Sequence, residues 1–355
     1  MTRPTFAYVG SRTNAMRKAR GVGIGVYAVE PGSWRPLQTL AEPDPSFLTF
    51  DSHRRWLYAA QGDGSEVAAF ARDPASGLLT PLDRRPSEGL NGVHVAVDPT
   101  DRFLVLTNHL TEDGFVSNLT VFPIGEDGSL GAPTDIRRIE GEPGPNRDQQ
   151  PYAKPHHVQF SPDGRFLAMA DKGLDELRLY RLGDDGVLSE IEASRTRYRW
   201  GAGPRHVTFH PAGAFLYVLN ELDSTITANA FDPASGAVKP FQVVPSQSDA
   251  YSRFHRASEI EITRDGRFLY AANRGQNSLG VFAVDAESGR LTALQFVGAG
   301  GKIPRHFAFS PDERQVFVAN EFSDGVVAFD RGEDGRLTRL GVVAETGTPT
   351  CILVA

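Results

Sequence analysis

The sequence predicts an all-β chain folded as a seven-bladed β-propeller, each blade a sheet of four short strands. Three observations carry that reading. A pair of short apolar runs joined by a Pro/Gly/Asp turn recurs along the chain. Each copy continues into two further short runs. The two ends of the chain hold complementary parts of one such unit.

The recurring pair is clearest at Pro204-Arg205-His206-Val207-Thr208-Phe209-His210-Pro211, followed by Phe215-Leu216-Tyr217-Val218-Leu219-Asn220-Glu221. It returns as Pro304-Arg305-His306-Phe307-Ala308-Phe309-Ser310-Pro311 with Val316-Phe317-Val318-Ala319-Asn320-Glu321. Further copies lie at Pro155–Pro162 with Phe166–Asp171 and at Ala257–Arg264 with Phe268–Asn273, and weaker ones start near Pro45 and Gly92. A third run such as Ile226–Phe231 leads into Asp232-Pro233-Ala234-Ser235-Gly236, echoed at Asp73-Pro74-Ala75-Ser76-Gly77, and a fourth strand follows. The second runs end at Gly10, Gln61, Asn108, Asp171, Asn220, Asn273 and Asn320, spaced 47 to 63 residues apart, which suits four-stranded blades. The chain opens on a second-type run, Phe6-Ala7-Tyr8-Val9, and closes on a first-type run, Pro349-Thr350-Cys351-Ile352-Leu353-Val354. The last strand is therefore expected to complete the first blade and close the ring, which hides edge strands.

Composition agrees with this. The 355 residues include 36 Gly and 24 Pro, 40% hydrophobic and 23% charged residues, enough for a packed core and rich in turns. A single propeller domain over residues 1–355 is expected. The net charge of −7 argues against a nucleic-acid or anionic-membrane partner. Cys351 stands alone, so neither an intramolecular disulfide nor a Cys-Cys zinc site is available. The chain shows no apolar signal stretch and no run of 18 apolar residues, so a cytoplasmic location is expected. The sequence carries no signal for an oligomeric state.

A tight turn centred on Gly213 makes residues whose numbers sum to 426 face each other, so Arg205 is expected opposite Glu221. The same spacing pairs Arg305 with Glu321, Ser258 with Arg274, His156 with Lys172, Val93 with His109 and Ser46 with Gly62. First strands line the axis of a propeller, so these pairs meet at one mouth of its channel. The next inner positions are Phe47, His94, His157, His206, Glu259 and His306. These 18 positions hold six of the nine histidines, where the repeat elsewhere supplies Val, Phe, Leu, Tyr and Ala. Places where a local pattern breaks down point to function. Each group also has a structural use. His206 and His306 can donate a ring N–H to a neighbouring blade, Glu321 and Glu221 can form structural ion pairs with Arg305 and Arg205, Arg274 can lie on the surface, and Cys351 can fill space. No HExxH, EF-hand or Gly-rich nucleotide pattern is present, so no metal or cofactor is expected.

The order and spacing of Tyr8-Val9-Gly10-Ser11, Gly203-Pro204-Arg205-His206, Asn220-Glu221, Ser258-Glu259-Ile260, Asn273-Arg274-Gly275 and Pro304-Arg305 resemble the seven-bladed propeller lactonase family. That family includes the propeller type of 6-phosphogluconolactonase and the fungal carboxy-muconate cyclase, and the resemblance covers essentially the whole chain. It implies a metal-independent site at one channel mouth, with Arg205, Glu221, Arg274 and His156 in the family's catalytic positions and His157 as the adjacent candidate. Lys154 stands where the family often has a histidine and Lys172 where it often has leucine; both add positive charge.

The leading expectation is hydrolysis of a sugar lactone such as 6-phosphoglucono-1,5-lactone. Glu221 or His156 would take the proton of water, and Arg205 and Arg274 would hold the oxyanion or an anionic group of the substrate. His94, His157, Lys172, Glu259, Arg305 and Glu321 are the further candidates for contact with a small anionic lactone or carboxylate. The alternatives are a cycloisomerase closing a carboxy-muconate, a non-catalytic binding propeller and a calcium-dependent lactonase. The segment Gly141–Asp148, in the longest interval of the repeat, is expected to form a loop over the mouth.

Overall fold

The structure, a computed structural model, describes residues 4–111, 114, 116–248 and 251–355. Seven antiparallel sheets stand around an axis. Blade one is assembled from both ends of the chain: Pro349–Val354 is its inner strand, and Phe6–Ser11, Gly23–Glu30 and Ser33–Ala41 follow outward. The inner strands of blades two to seven are Pro45–Phe50, Leu90–Val97, Pro155–Phe160, Pro204–Phe209, Arg256–Ile262 and Pro304–Phe309. Each continues in chain order to a second, a third and an outer strand; blade four adds the short Thr196–Arg197. Closure is antiparallel, with Tyr8 opposite Leu353 and Val9 opposite Ile352, and the backbones of Phe6 and Ala355 exchange two hydrogen bonds of 2.7 and 2.8 Å. No helix among the described residues is long and apolar enough to cross a membrane.

The burial pattern explains the composition of each strand. A second strand such as Phe215–Asn220 is covered on both faces by neighbouring blades and reads as a continuous apolar run. An outer strand such as Leu79–Pro86 buries only its first residue and tolerates arginine and aspartate. The apolar core is accordingly divided among the seven interfaces between blades. Tyr217, Leu219 and Ile226 pack on Ile260, Leu269 and Ala271. Ala7, Val9 and Ile352 pack on Phe317, Ala319 and Val326, which makes the closing interface equivalent to the others.

Four interfaces are also bolted by a tyrosine. The hydroxyls of Tyr8, Tyr58, Tyr217 and Tyr270 on second strands donate to the carbonyls of Gly77, Gly128, Gly289 and Gly335, at 2.8, 3.0, 2.9 and 2.6 Å. Each acceptor sits in the turn between third and outer strands of the following blade. This assigns a purpose to the repeated Asp-Pro-Ala-Ser-Gly motif. Asp73 accepts from the Ala75 N–H, and Gly77 closes the turn at φ 76°, a left-handed conformation that L residues adopt only with strain.

The register differs from the expected one. The hairpin after Phe209 is a type of turn in which Gly213 N–H bonds His210 C=O and Gly213 takes φ 74°, so its symmetry axis falls between Ala212 and Gly213. His206 therefore faces Leu219, and Pro204 faces Asn220; Arg205 lies between them as a bulge. All six expected pairings shift in this way. Ser46, Val93, His156 and Arg305 are bulge residues like Arg205, and Arg256, not Ser258, faces Arg274. The closing strand repeats the device at Thr350, between Gly10–Cys351 and Ser11–Pro349. Each inner strand thus carries one extra residue at the mouth.

Replacing Tyr217 by Phe removes one hydroxyl and orphans the buried Gly289 carbonyl. The expected loss is about 1–3 kcal/mol, read as a lower urea midpoint with an unchanged slope.

Candidate active site

A bulge re-aims side chains, and here it turns two consecutive residues of one strand toward the axis. Arg205 with His206, Arg305 with His306 and Ser46 with Phe47 line one small cavity of about 20 Å³, room for a single water. His156, Glu259 and Arg12 complete its wall.

Above this cavity the charges organise around Glu221. Its Oε2 lies 3.1 Å from Arg205 Nε and 3.2 Å from Arg274 Nη2, and its Oε1 lies 3.5 Å from Lys172 Nζ and 3.4 Å from Arg256 Nη1. Burial alone would push this carboxyl up, but Lys172, Arg274, Arg205 and Arg256 together hold it well below the usual range. Both carboxylate oxygens are engaged by cations, so of the two expected bases Glu221 has no free oxygen to meet a water. It fits the role of an internal counter-ion that keeps like charges together. Burial, and then repulsion by Arg274, bring Arg205 down to about 9, and burial brings Lys172 to about 8. The arginines are fixed from behind as well. Arg205 Nη1 donates to Ser258 C=O and Arg274 Nη2 donates to Ala257 C=O at 2.7 Å.

A second charged group flanks the first. Glu321 lies 3.2 Å from Arg305 Nη1 and 3.3 Å from Arg12 Nε, and Arg12 reaches on to Asp63 at 3.4 Å. Arg12 was invisible as a site residue because it follows the second strand of blade one by a single loop position, outside the repeated pattern. Arg256 and Gln149 were missed for a similar reason. Gln149 Oε1 accepts from Arg256 Nη1 at 2.6 Å and so ties the loop after Gly141 to the far side of the mouth. The same loop is anchored by Gln150, whose Nε2 donates to Lys172 C=O and Asp175 Oδ1.

His156 supplies the uncharged polar group. Its ring packs against His109 and His206 with centroids 5.3 Å away in each case, and its buried Nδ1 has no hydrogen-bond partner. Burial, with Arg205, His109 and Lys172, holds it well below the ordinary histidine value, so it is a neutral imidazole with a free lone pair.

His94, His157 and Glu259 stand one layer deeper and plug the channel. His94 Nδ1 accepts from Val158 N–H, and His157 Nδ1 from Val207 N–H, at 3.4 and 3.5 Å. His306 Nδ1 accepts likewise from Ile352 N–H at 3.3 Å, the reverse of the expected donation. Ring centroids run Phe47–His94–His157–His206 at 4.0, 4.0 and 4.3 Å. His206 receives Arg205 Nη1 on Nε2 at 2.9 Å, which leaves its Nδ1–H to donate to Glu259 Oε1 at 2.7 Å. Cys351 closes the layer beside His306 and is buried. The mouth therefore brings together His156, Lys172, Arg205, Glu221, Arg274, Arg305 and Glu321. His94 and His157 lie below it, because residues one step past the bulge point into the plug. Among the described residues no group of three or more His, Cys, Asp or Glu side chains is arranged to hold a metal ion.

Comparison with known proteins matches this architecture. The family model described as "Lactonase, 7-bladed beta-propeller" matches residues 6–354. The chain is 33% identical over 358 residues to a 6-phosphogluconolactonase of Bacillus subtilis, covering 98% of this chain and 97% of that protein. It is 30% identical over 350 residues to a 6-phosphogluconolactonase of Formosa agariphila, covering 94% of each. The structure of the periplasmic gluconolactonase of Pseudomonas aeruginosa superposes with a TM-score of 0.90 at 26% identity, covering 99% of both chains.

Replacing Glu221 by Gln leaves four cations around a neutral amide. The expected cost is about 3–5 kcal/mol in urea unfolding at pH 7, as for other broken buried ion clusters. A residue acting only as a base would leave stability unchanged.

Proposed function

The chain belongs to the seven-bladed β-propeller lactonase family, and from that premise we propose that it hydrolyses an anionic sugar lactone, 6-phosphoglucono-1,5-lactone, with no metal ion taking part. The observation that carries the reading is the convergence of Lys172, Arg205, Arg256 and Arg274 at one mouth of a protein of net charge −7, beside the unpartnered neutral imidazole of His156. The first part selects an anion; the second supplies a base.

In the proposed reaction His156 Nδ1 takes a proton from water as the water oxygen attacks the lactone carbonyl carbon. The carbonyl oxygen becomes an oxyanion facing Arg205 and Arg274, held rigid by Glu221 and by the carbonyls of Ser258 and Ala257. The tetrahedral intermediate collapses, the ring C–O bond breaks, and the proton passes from His156 to the departing alkoxide. The product acid then ionises, releasing one proton to solvent. The substrate's phosphate would meet Lys172 and Arg256, both beside Glu221, and Lys154, whose charge interacts with theirs. Positive charge fixed before the reaction needs no reorganisation during it, which is the main advantage of such a site over water.

The assay follows loss of 6-phosphoglucono-1,5-lactone above its spontaneous rate. Arg205→Ala is expected to lower kcat by about 10²–10³ and His156→Ala by about 10²–10⁴. Activity that vanishes on chelation and returns with a divalent ion would overturn the metal-free route, and turnover of a carboxy-muconate in its place would overturn the substrate. The pH dependence is equally specific. His156, held below its ordinary value, stays neutral through pH 6.5, so kcat/KM shows no acid limb there. Lys172 loses its charge as pH rises through about 8, so kcat/KM for the phosphorylated lactone falls above that value, and Lys172→Met removes this limb.

A further inference from the structure

We propose that the chamber at the far end of the channel is a binding site for a small organic cation, with Glu261 as its counter-ion. The plug of Phe47, His94, His157, His206, Glu259, His306 and Cys351 separates the charged mouth from this chamber. The chamber is a concavity of about 480 Å³ whose walls include Phe47, Gln159, Phe160, Glu261, Ala308 and Phe309. That volume lies in the range of small-molecule sites.

The repeat marks Glu261 as an exception. It stands two residues past the plug position of its inner strand. The other six inner strands place Thr49, Ala96, Gln159, Thr208, Ala308 and Leu353 there, none of them charged. The structure gives Glu261 no compensation for the substitution. Glu221 has four cations, Glu321 two arginines, Asp171 three backbone N–H groups and Glu259 the ring of His206. Among the described residues Glu261 has neither a hydrogen-bond donor nor a cation. The groups nearest in charge are acids: Glu259, two residues along the same strand face, and Glu313, itself taken by Arg264. The histidines that reach the chamber, His94, His157 and His306, are kept neutral by burial.

Glu261 is half-buried and its carboxylate has only solvent as a partner, so a ligand cation entering the chamber finds an unpaired counter-ion there. The surroundings select which kind. A divalent metal ion demands several oxygen ligands, and the chamber offers one carboxylate among aromatic rings. Phe47, Phe160 and Phe309, with Val and Ala side chains around them, instead suit an ammonium carried on an apolar body. Burial pushes Glu261 up to about 7, with Glu313 adding to it, so cation binding is coupled to loss of a proton and strengthens as pH rises. The site also communicates with the mouth. A cation here favours the ionised form of Glu259, which receives the His206 proton and thereby bears on Arg205.

The test is isothermal titration calorimetry of the intact protein with phenethylammonium, with 2-phenylethanol as the uncharged probe and no lactone present, so its outcome is independent of the lactonase reading. Saturable one-site binding is expected at pH 8, about tenfold weaker at pH 6, where only a minor fraction of Glu261 is ionised. The neutral alcohol does not bind. Glu261→Gln abolishes the binding and its pH dependence. Ala308→Leu, which fills the chamber and keeps the charge, weakens it by at least tenfold and decides the matter if Glu261→Gln fails to fold. Absence of saturable binding to the wild-type protein, or undiminished affinity in either folded variant, overturns the proposal.

Discussion

The chemistry of the axis depends on a backbone constraint: each inner strand has one more residue than its partner can pair. An antiparallel ladder without a bulge alternates its side chains, so Arg205 and His206 would point to opposite faces and into different interfaces. The extra residue cancels one alternation and lets both reach the cavity. Because the device recurs in every blade, the ring presents two successive tiers of side chains. One tier carries the charges of the mouth, and the next builds the plug of histidines beneath them.

Concentrating positive charge in a buried place is the second constraint, and Glu221 and Glu321 answer it. Lys172, Arg205, Arg256 and Arg274 repel one another, and burial disfavours the charged forms of Lys172, Arg205 and Arg274. A carboxylate touching all four counters both effects, while leaving an excess of positive charge in the cluster. The division of labour between the two acidic or basic candidates follows from surroundings alone. The same surroundings hold both groups in their proton-free forms, Glu221 as an anion and His156 as a neutral imidazole with an open lone pair, and only Glu221 is engaged by ion pairs.

How much of this was legible in the sequence depends on whether a feature is repeated. Blade number, strand order and closure could be read because Pro204–Glu221 and Pro304–Glu321 are near copies, and because Phe6–Val9 and Pro349–Val354 are halves of the same unit. The cluster of His156, Arg205, Glu221 and Arg274 at one mouth could be inferred from the same copies. The bulge could not, since one unpaired residue leaves no mark in composition, and counting from an assumed turn centre at Gly213 misplaces every pair by one or two. Arg12, Arg256 and Gln149 escaped because loops and strand ends, which vary among blades, deliver them. The charged tier was thus visible where the repeat places it and hidden where a single blade departs from it.

The joining of Pro349–Val354 to Phe6–Ser11 bears on how the molecule comes into being. A ribosome delivers the second strand of blade one some 340 residues before the strand that completes it, an interval of roughly 20–70 s at ordinary elongation rates. Throughout that time the inner edge of Phe6–Ser11 stays open to any extended segment. The five-residue ladder that finally occupies it turns an arc into a ring, so the axial site is complete only after Pro349–Val354 has emerged.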